Sequence, residues 1–135
     1  GTRRMILWHN PACSKSRAVH EALAEAGITF EVRNYMEHPP TPAEVLDLAR
    51  RVGVPPIDLV RTDEDEWKSA GLDPCGVLED QVARTVSAYP KLLQRPILAD
   101  GESAVISRPP STALEWLRSR GRISGPIVSA GASAP

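Results

Sequence analysis

The segment WHNPACSKSR, residues 8–17, indicates which fold the chain adopts. It places Cys13 between a short apolar run that ends at Trp8 and a segment whose apolar residues recur at helical spacing. The common redox motif Cys-x-x-Cys needs a second cysteine where this chain has Ser16. The stretch therefore predicts a strand, a loop with one thiol, and a helix that begins between Cys13 and Ser16.

The residues around this stretch predict a strand–helix–strand unit. Residues 5–8 are continuously apolar, as in a buried central strand. The helix has apolar residues at i, i+3, i+4 and i+7 and is expected to stop before Gly27. Residues 28–32 alternate apolar and polar side chains, which favours a second strand. A unit of this size predicts a right-handed crossover and a parallel pair of strands.

The middle of the chain predicts helices. Residues 41–44 have the form of a capping box and open a helix that ends at Gly53. Residues 56–89 contain no clear strand, and a shorter helix is predicted within residues 63–70. A further helix before Pro90 carries four apolar or aromatic residues on one face: Leu78, Val82, Val86 and Tyr89.

The last third of the chain predicts a hairpin and a final helix. Residues 96–99 and 104–106 are apolar and are separated by the turn pair Asp100-Gly101. Ser111 is predicted to cap the final helix, whose core residues are Leu114 and Leu117.

The order of elements is β-α-β, a helical insertion at about 41–90, and then β-β-α. This order predicts an α/β, thioredoxin-like fold with a small mixed sheet. The chain has 135 residues, enough for one domain, which we place at 1–120. Residues 121–135 are rich in Gly, Ser, Ala and Pro and predict a disordered tail.

Composition argues against several classes of protein. A formal net charge of −1 gives no reason to expect binding to nucleic acid or to a membrane surface. No apolar run approaches the roughly 20 residues that span a bilayer, and residues 1–5 do not resemble a signal peptide. The two cysteines, Cys13 and Cys75, do not form a disulfide scaffold, which favours a cytoplasmic location. His20 and His38 have no partner at metal-ligand spacing, so no metal site is predicted.

Cys13 is the candidate nucleophile on physical grounds. The unpaired N–H groups and the dipole at a helix N-terminus favour an anion, so the pKa of this thiol should fall below its usual value of about 8.5. The alternative is that Cys13 is a small buried core residue. The polar sequence after it favours the reactive interpretation. Side chains that can support a thiolate surround it: His9, Asn10, Ser14, Lys15, Ser16 and Arg17.

The motif HNPACSKSR, together with Arg61 in LVRTDE, Arg95 in QRPIL and Arg108 in SRPPS, resembles the glutaredoxin-dependent arsenate reductases of the ArsC family. The resemblance covers residues 5 to about 117. It implies that the Cys13 thiolate attacks arsenate while the three arginines surround the oxyanion.

The resemblance also gives roles to three further residues. His9 and Ser16 match positions that depress the pKa of the cysteine; taken alone, His9 is equally well interpreted as a loop residue that satisfies backbone groups. Pro96 matches the proline that thioredoxin folds hold in the cis form beside the active site.

The implied partners account for the missing second cysteine. No cofactor is bound; glutathione is the co-substrate that attacks the enzyme-bound arsenic, and glutaredoxin completes the reduction to arsenite. The second thiol is thus supplied by another molecule. Ser14-Lys15-Ser16 differs from the Gly-Thr-Ser of the best-studied members, which leaves the preferred oxyanion open.

Two other functions stay open. A glutathione-linked thiol–disulfide oxidoreductase also needs only one thiol. An Spx-like regulator that binds RNA polymerase shares the fold, but it typically carries a Cys-x-x-Cys switch that Ser16 removes here.

Each arginine and Cys75 also have an ordinary structural interpretation. Arginines are mostly exposed or ion-paired, and Arg61 has Asp58, Asp63 and Glu64 close in sequence. Cys75 lies in Asp-Pro-Cys-Gly and is interpreted as a loop residue, with a resolving thiol as the alternative.

Overall fold

In the computed structural model, which describes residues 5–72, 78–94, 96–107 and 110–122, the chain forms a four-stranded sheet in the order β2-β1-β3-β4. Strand β1 is parallel to β2 and antiparallel to β3, and β3 is antiparallel to β4. This confirms the predicted thioredoxin-like arrangement with its small mixed sheet. The strands are β1 (Met5–His9), β2 (Glu31–Asn34), β3 (Ile97–Asp100) and β4 (Ser103–Ile106).

The described residues contain five α-helices, with short 3-10 turns at Pro56–Leu59 and Pro90–Leu92. None of these helices is long and apolar enough to cross a bilayer. The segment between β2 and β3 is helical, as predicted. The helices are α1 (Ser14–Glu25), α2 (Pro42–Val52), α3 (Asp65–Ala70), α4 (Glu79–Ala88) and α5 (Pro110–Ser119).

Helix α2 forms as its sequence predicts. The Thr41 hydroxyl accepts the Glu44 N–H at 3.1 Å, and the Glu44 carboxylate accepts the Thr41 N–H at 3.0 Å. This reciprocal capping box satisfies two N–H groups that have no partner inside the helix. The helix ends at Gly53, whose φ of 90° is a left-handed conformation that glycine adopts without strain.

Apolar side chains are buried on both faces of the sheet. Alternation along β1 sends Met5 and Leu7 to the face covered by α1 and α5, and Trp8 to the face covered by α2 and α4. Trp67 is buried in the Trp8 cluster, and Trp116 is partly buried against the Leu7 cluster. The predicted core positions Leu114 and Leu117 are both buried.

Four local predictions differ from the structure. Strand β2 begins at Glu31, later than residue 28, and Val32 is 46% exposed because β2 is an edge strand. Ser111 as a cap is wrong, since α5 already includes Pro110. Of the four residues predicted to share the buried face of α4, only Val82 and Val86 lie within the helix and reach the core. Leu78 and Tyr89 lie just outside the two ends of the helix and are exposed.

The predicted tail and Cys75 lie wholly or mostly outside the described residues. The tail is described only as far as residue 122, and Cys75 falls in the gap at 73–77.

The sheet register determines which segments meet at one edge. Trp8 pairs with Ile97, and Ile97 pairs with Ile106. One position further along this register, His9 follows Trp8, Pro96 precedes Ile97 and Ser107 follows Ile106. These three residues therefore lie side by side where β1 leads into the Cys13 loop.

Candidate functional site

The loop that carries Cys13 is built by hydrogen bonds from Asn10. The Asn10 carbonyl accepts the Cys13 N–H at 3.0 Å, and its side-chain oxygen accepts the Ala12 N–H at 3.0 Å. Such an Asx turn is a common use of asparagine. Asn10 itself is buried. It therefore fixes the path of the chain between β1 and α1.

Cys13 is the N-cap residue of α1. Its backbone is extended, with φ −98° and ψ 124°, and its carbonyl accepts the Arg17 N–H at 3.0 Å in the first bond of the helix. The residue is partly exposed, so an external molecule can reach this position. The predicted start of the helix is confirmed, and the interpretation of Cys13 as a fully buried core residue is wrong.

The first turn of α1 is electrostatically suited to an anion. It contains no acidic residue, and Lys15 and Arg17 are exposed within it. The N–H groups at the start of a helix and its dipole add partial positive charge. Arg17 also donates to the Pro11 carbonyl at 3.2 Å, so it supports the loop as well as contributing charge.

Ser16 links the loop to the end of β1. Its side chain is fully buried, and its hydroxyl oxygen accepts the Asn10 N–H at 3.0 Å. The same oxygen lies 2.6 Å from Nδ1 of His9. Ser16 therefore satisfies a buried backbone donor and contacts the imidazole. The sequence suggests a role toward the thiolate; this structural link is an additional role that local sequence does not predict.

His9 is held in a buried and electropositive place. Only 8% of the residue is exposed, and its ring centroid lies 5.2 Å from that of His20. Burial lowers the pKa of His9 below its usual range, and the nearby charges of His20 and Arg17 lower it further. Burial and these charges therefore favour the neutral form of the ring that contacts Ser16.

Pro96 is buried at the sheet edge beside His9. Its carbonyl accepts the Ser107 N–H at 2.8 Å, which joins the start of β3 to the end of β4. Arg95 and Arg108, two of the predicted oxyanion ligands, lie outside the described residues. The peptide bond of Pro96 begins at Arg95, so its cis form stays a prediction.

Arg61, the third predicted oxyanion ligand, lies in the loop after the first 3-10 turn. Its guanidinium is paired with the Glu64 carboxylate at 3.0 Å, and about a fifth of each side chain is exposed. Glu64 is one of the three local partners that the sequence suggests. The described structure thus gives Arg61 a local ion pair and leaves its role toward an anion a prediction.

Sequence reasoning missed His20 as part of this site. Its ring lies between those of His9 and Phe30, at 5.2 Å from each. Position 20 is four residues after Ser16, so both side chains lie on the same face of α1. The four-residue spacing of Ser16 and His20 was the sequence signal that could have identified His20. No three His, Cys, Asp or Glu side chains in the described ranges are grouped as a metal site would require.

The chain is similar to known proteins over most of its length. The model of the ArsC family matches residues 8–116. An arsenate reductase of Neisseria meningitidis is 36% identical over 104 residues, 76% of this chain and 89% of that protein. An arsenate reductase of Haemophilus influenzae is 32% identical over 114 residues, 84% of this chain and 98% of that protein. The solved structure of an arsenate reductase from Vibrio cholerae superposes with a TM-score of 0.79 at 30% identity, covering 85% of this chain and 98% of that one.

Proposed function

The chain belongs to the ArsC family, and we propose that it is an oxidoreductase that reduces arsenate to arsenite through the Cys13 thiol. Glutathione is the proposed co-substrate, and glutaredoxin is the proposed protein partner. The protein itself holds no cofactor in this scheme. Because the reaction consumes reduced thiols, the proposed compartment is the cytoplasm.

The position of Cys13 carries the proposal. A sulfur at the N-cap of α1, partly exposed and followed by a turn without acidic residues, is where a thiolate is stabilised. The cations Lys15 and Arg17 also favour the approach of a negatively charged oxyanion. An uncharged substrate would gain much less from this arrangement.

The electron balance requires a second thiol. Arsenate takes up two electrons to become arsenite, and two thiols release two electrons when they join as a disulfide. In the proposed cycle the Cys13 sulfur displaces one arsenic-bound oxygen, which leaves as water after it is protonated. Glutathione then attacks the enzyme-bound arsenic and displaces a second oxygen, which also leaves as water. The glutaredoxin thiol attacks the glutathione sulfur and forms a mixed disulfide, while the electron pair of the sulfur–arsenic bond reduces the arsenic. Water then cleaves the remaining bond between arsenic and the Cys13 sulfur. Arsenite is released and Cys13 returns as a thiol.

Three arginines are the proposed ligands of the oxyanion. Arg61, Arg95 and Arg108 supply planar guanidinium groups that can hold a tetrahedral anion through paired, charge-assisted hydrogen bonds. Since Arg61 is paired with Glu64, its guanidinium must exchange that carboxylate for arsenate. Loss of one donor to a developing anion typically lowers kcat by about 10²- to 10³-fold.

One observation favours a second candidate function. An Arg61 that stays with Glu64 would have no part in anion binding, as in a glutathione-linked thiol–disulfide oxidoreductase. That enzyme would use the same Cys13 thiol on protein mixed disulfides and would need no oxyanion ligands. The arginines therefore separate the two functions.

The test is NADPH consumption with arsenate, glutathione, glutaredoxin and glutathione reductase. We expect arsenate-dependent turnover that is lost in Cys13→Ser and falls by about 10²-fold or more in Arg95→Ala and Arg108→Ala. Cys75→Ser and the exposed-arginine variant Arg50→Ala are the matched controls and should keep their activity.

Each failure has its own meaning. Loss of turnover in Cys75→Ser would place the second thiol within the chain and contradict the role of glutathione. No arsenate turnover, but rapid reduction of a glutathionylated protein, would make the chain a thiol–disulfide oxidoreductase. Failure of both would overturn the enzymatic proposal and leave the Spx-like function, tested by binding to RNA polymerase.

A further inference from the structure

His20 is the middle ring of a short stack behind the Cys13 loop, between His9 and Phe30. Its centroid is 5.2 Å from that of His9 at an interplanar angle of 35°, and 5.2 Å from that of Phe30 at 77°. Phe30 meets it edge-on, a preferred arrangement for aromatic rings. His20 is partly buried, whereas His9 behind it is almost fully buried. The stack therefore limits where the His9 ring can lie.

The state of His9 matters because the Ser16 hydroxyl has a single proton. Its oxygen already accepts the Asn10 N–H and lies 2.6 Å from Nδ1 of His9. A neutral imidazole can accept the hydroxyl proton at Nδ1, whereas a protonated imidazole has donors at both nitrogens. A charge on His9 would therefore present a second donor to the Ser16 oxygen and reverse the direction of their hydrogen bond.

We propose that His20 is a positioning residue for the Cys13 loop: its ring packs against that of His9 and holds the imidazole where Nδ1 accepts the Ser16 proton. His20 touches neither the loop backbone nor the reacting sulfur in this scheme. It acts through His9 and Ser16 on the turn that presents Cys13.

The charges around His9 support this assignment. Burial lowers the pKa of His9 most, and His20 lowers it more than Arg17 does. Both of these charged groups belong to α1. The neighbouring strands place Asn34 and Pro96 beside His9, and neither side chain titrates. The remaining titratable group of the adjoining loop is Cys13, whose negatively charged thiolate would favour protonation of His9.

The inference rests on Cys13 being the reactive thiol of the proposed function, but its first test needs no arsenate and no glutathione. The imidazole ¹⁵N signals of His9 report both its titration midpoint and its tautomer. In His20→Leu we expect the midpoint of His9 to rise by about half a pH unit or more, as loss of a charge about 5 Å away predicts in a water-like dielectric. His38→Leu, which removes an exposed histidine, is the matched control and should leave His9 unchanged.

The second readout is the rate of Cys13 alkylation by iodoacetamide as a function of pH. In His20→Leu we expect the acidic limb of this pH–rate profile to move to higher pH, as the His9 midpoint does. His20→Gln, which keeps a polar side chain of similar reach, serves if the leucine variant does not fold. An unchanged His9 midpoint in a folded His20 variant, or an equal change in His38→Leu, would overturn the proposal. If the wild-type protein shows no arsenate turnover while both readouts change as expected, the proposed function is contradicted and this role of His20 is not.

Discussion

The backbone N–H of Arg61 donates to the Leu92 carbonyl at 2.7 Å, which joins two segments that are 31 residues apart in the sequence and belong to no regular sheet. The contact continues with a bridge between Val60 and Leu93 and with the Gln94 N–H donating to the Leu59 carbonyl at 2.7 Å. This short antiparallel ribbon leads directly toward β3 and Pro96. It fixes the backbone of Arg61, so only the side chain has to move when its partner changes.

The first prediction concerns that side chain. Glu64→Gln removes the charge that holds the Arg61 guanidinium at 3.0 Å and also weakens the 3.5 Å contact of Glu64 with Lys91. If Arg61 binds the oxyanion, arsenate no longer competes with a carboxylate. Since partly exposed ion pairs are worth up to about 1 kcal/mol, the KM for arsenate should fall by about two- to fivefold. Glu25→Gln on α1 is the control, and a KM that is unchanged in both variants would separate Arg61 from anion binding.

The second prediction concerns the Ser16 hydroxyl. Ser16→Ala leaves the Asn10 N–H buried without its acceptor, which should lower the free energy of unfolding by about 1–3 kcal/mol. Because the loop that presents Cys13 loses the same support, alkylation of Cys13 should also slow. Urea unfolding and iodoacetamide kinetics measure the two effects. The exposed Ser14→Ala is the control, and equal stability of the two variants would show that the buried hydrogen bond contributes nothing.

The third prediction concerns stability against pH. The pKa of His9 is lowered in the folded protein, first by burial and then by His20 and Arg17, so the unfolded chain binds more protons at this position. The free energy of unfolding therefore rises with pH. The contribution is fully present above the unfolded value of about 6.5 and is lost as pH falls through the lowered folded pKa.

Urea unfolding between pH 5 and pH 7.5 measures this slope. His9→Gln should reduce it, whereas His38→Gln should keep it because that residue is exposed. A slope that is the same in wild type and His9→Gln would assign the acid sensitivity to other groups.

The fourth prediction concerns a carboxylate on the other side of the fold. Asp100 is fully buried and is paired with Arg120 at 3.2 Å and Arg122 at 3.4 Å, and Arg120 also donates to the Asp100 carbonyl at 3.1 Å. Asp100→Asn removes the charge between two arginines. We expect a loss of about 1.5–3 kcal/mol in the free energy of unfolding, the range for hydrogen bonds to a charged group, because the carboxylate is buried while both arginines stay partly exposed.

The control for this substitution is Asp47→Asn, whose exposed pair with Arg50 should be worth less than about 1 kcal/mol. Chemical denaturation of both variants gives the comparison. An equal loss in the free energy of unfolding for the two variants would mean that burial does not strengthen the ion pairs of Asp100.

The sequence predicted the parts of the fold that depend on neighbours along the chain. Thr41 and Glu44 are three residues apart, so their capping box can be read directly from the chain, and Gly53 ends the same helix for an equally local reason. Cys13 at the start of α1 was predicted because an apolar run, a Pro-containing loop and a helical pattern follow one another. Each of these signals depends on propensity or spacing alone.

The contacts that complete the candidate site depend instead on segments that meet only in the folded structure. The 2.6 Å contact between His9 and Ser16 exists because β1 and α1 fold back on one another, and the packing of His20 between His9 and Phe30 needs β2 as well. The end of α4 shows the same limit: Tyr89 continues the apolar spacing, yet the helix stops at Ala88 and the ring is 48% exposed. Tertiary packing decides these positions; the four-residue spacing of Ser16 and His20 shows that they share a face of α1 but not which rings that face meets.

Because the core is divided between the two faces of the sheet, the tryptophan residues can report on each face separately by their fluorescence. Trp8 and Trp67 lie in the cluster beneath α2 and α4, and Trp116 packs against the cluster beneath α1 and α5. Replacing Trp116 with phenylalanine would leave fluorescence from one face, and keeping Trp116 alone would leave fluorescence from the other. Unfolding curves recorded with the two variants would then reveal whether the halves of the core melt in one step or one after the other.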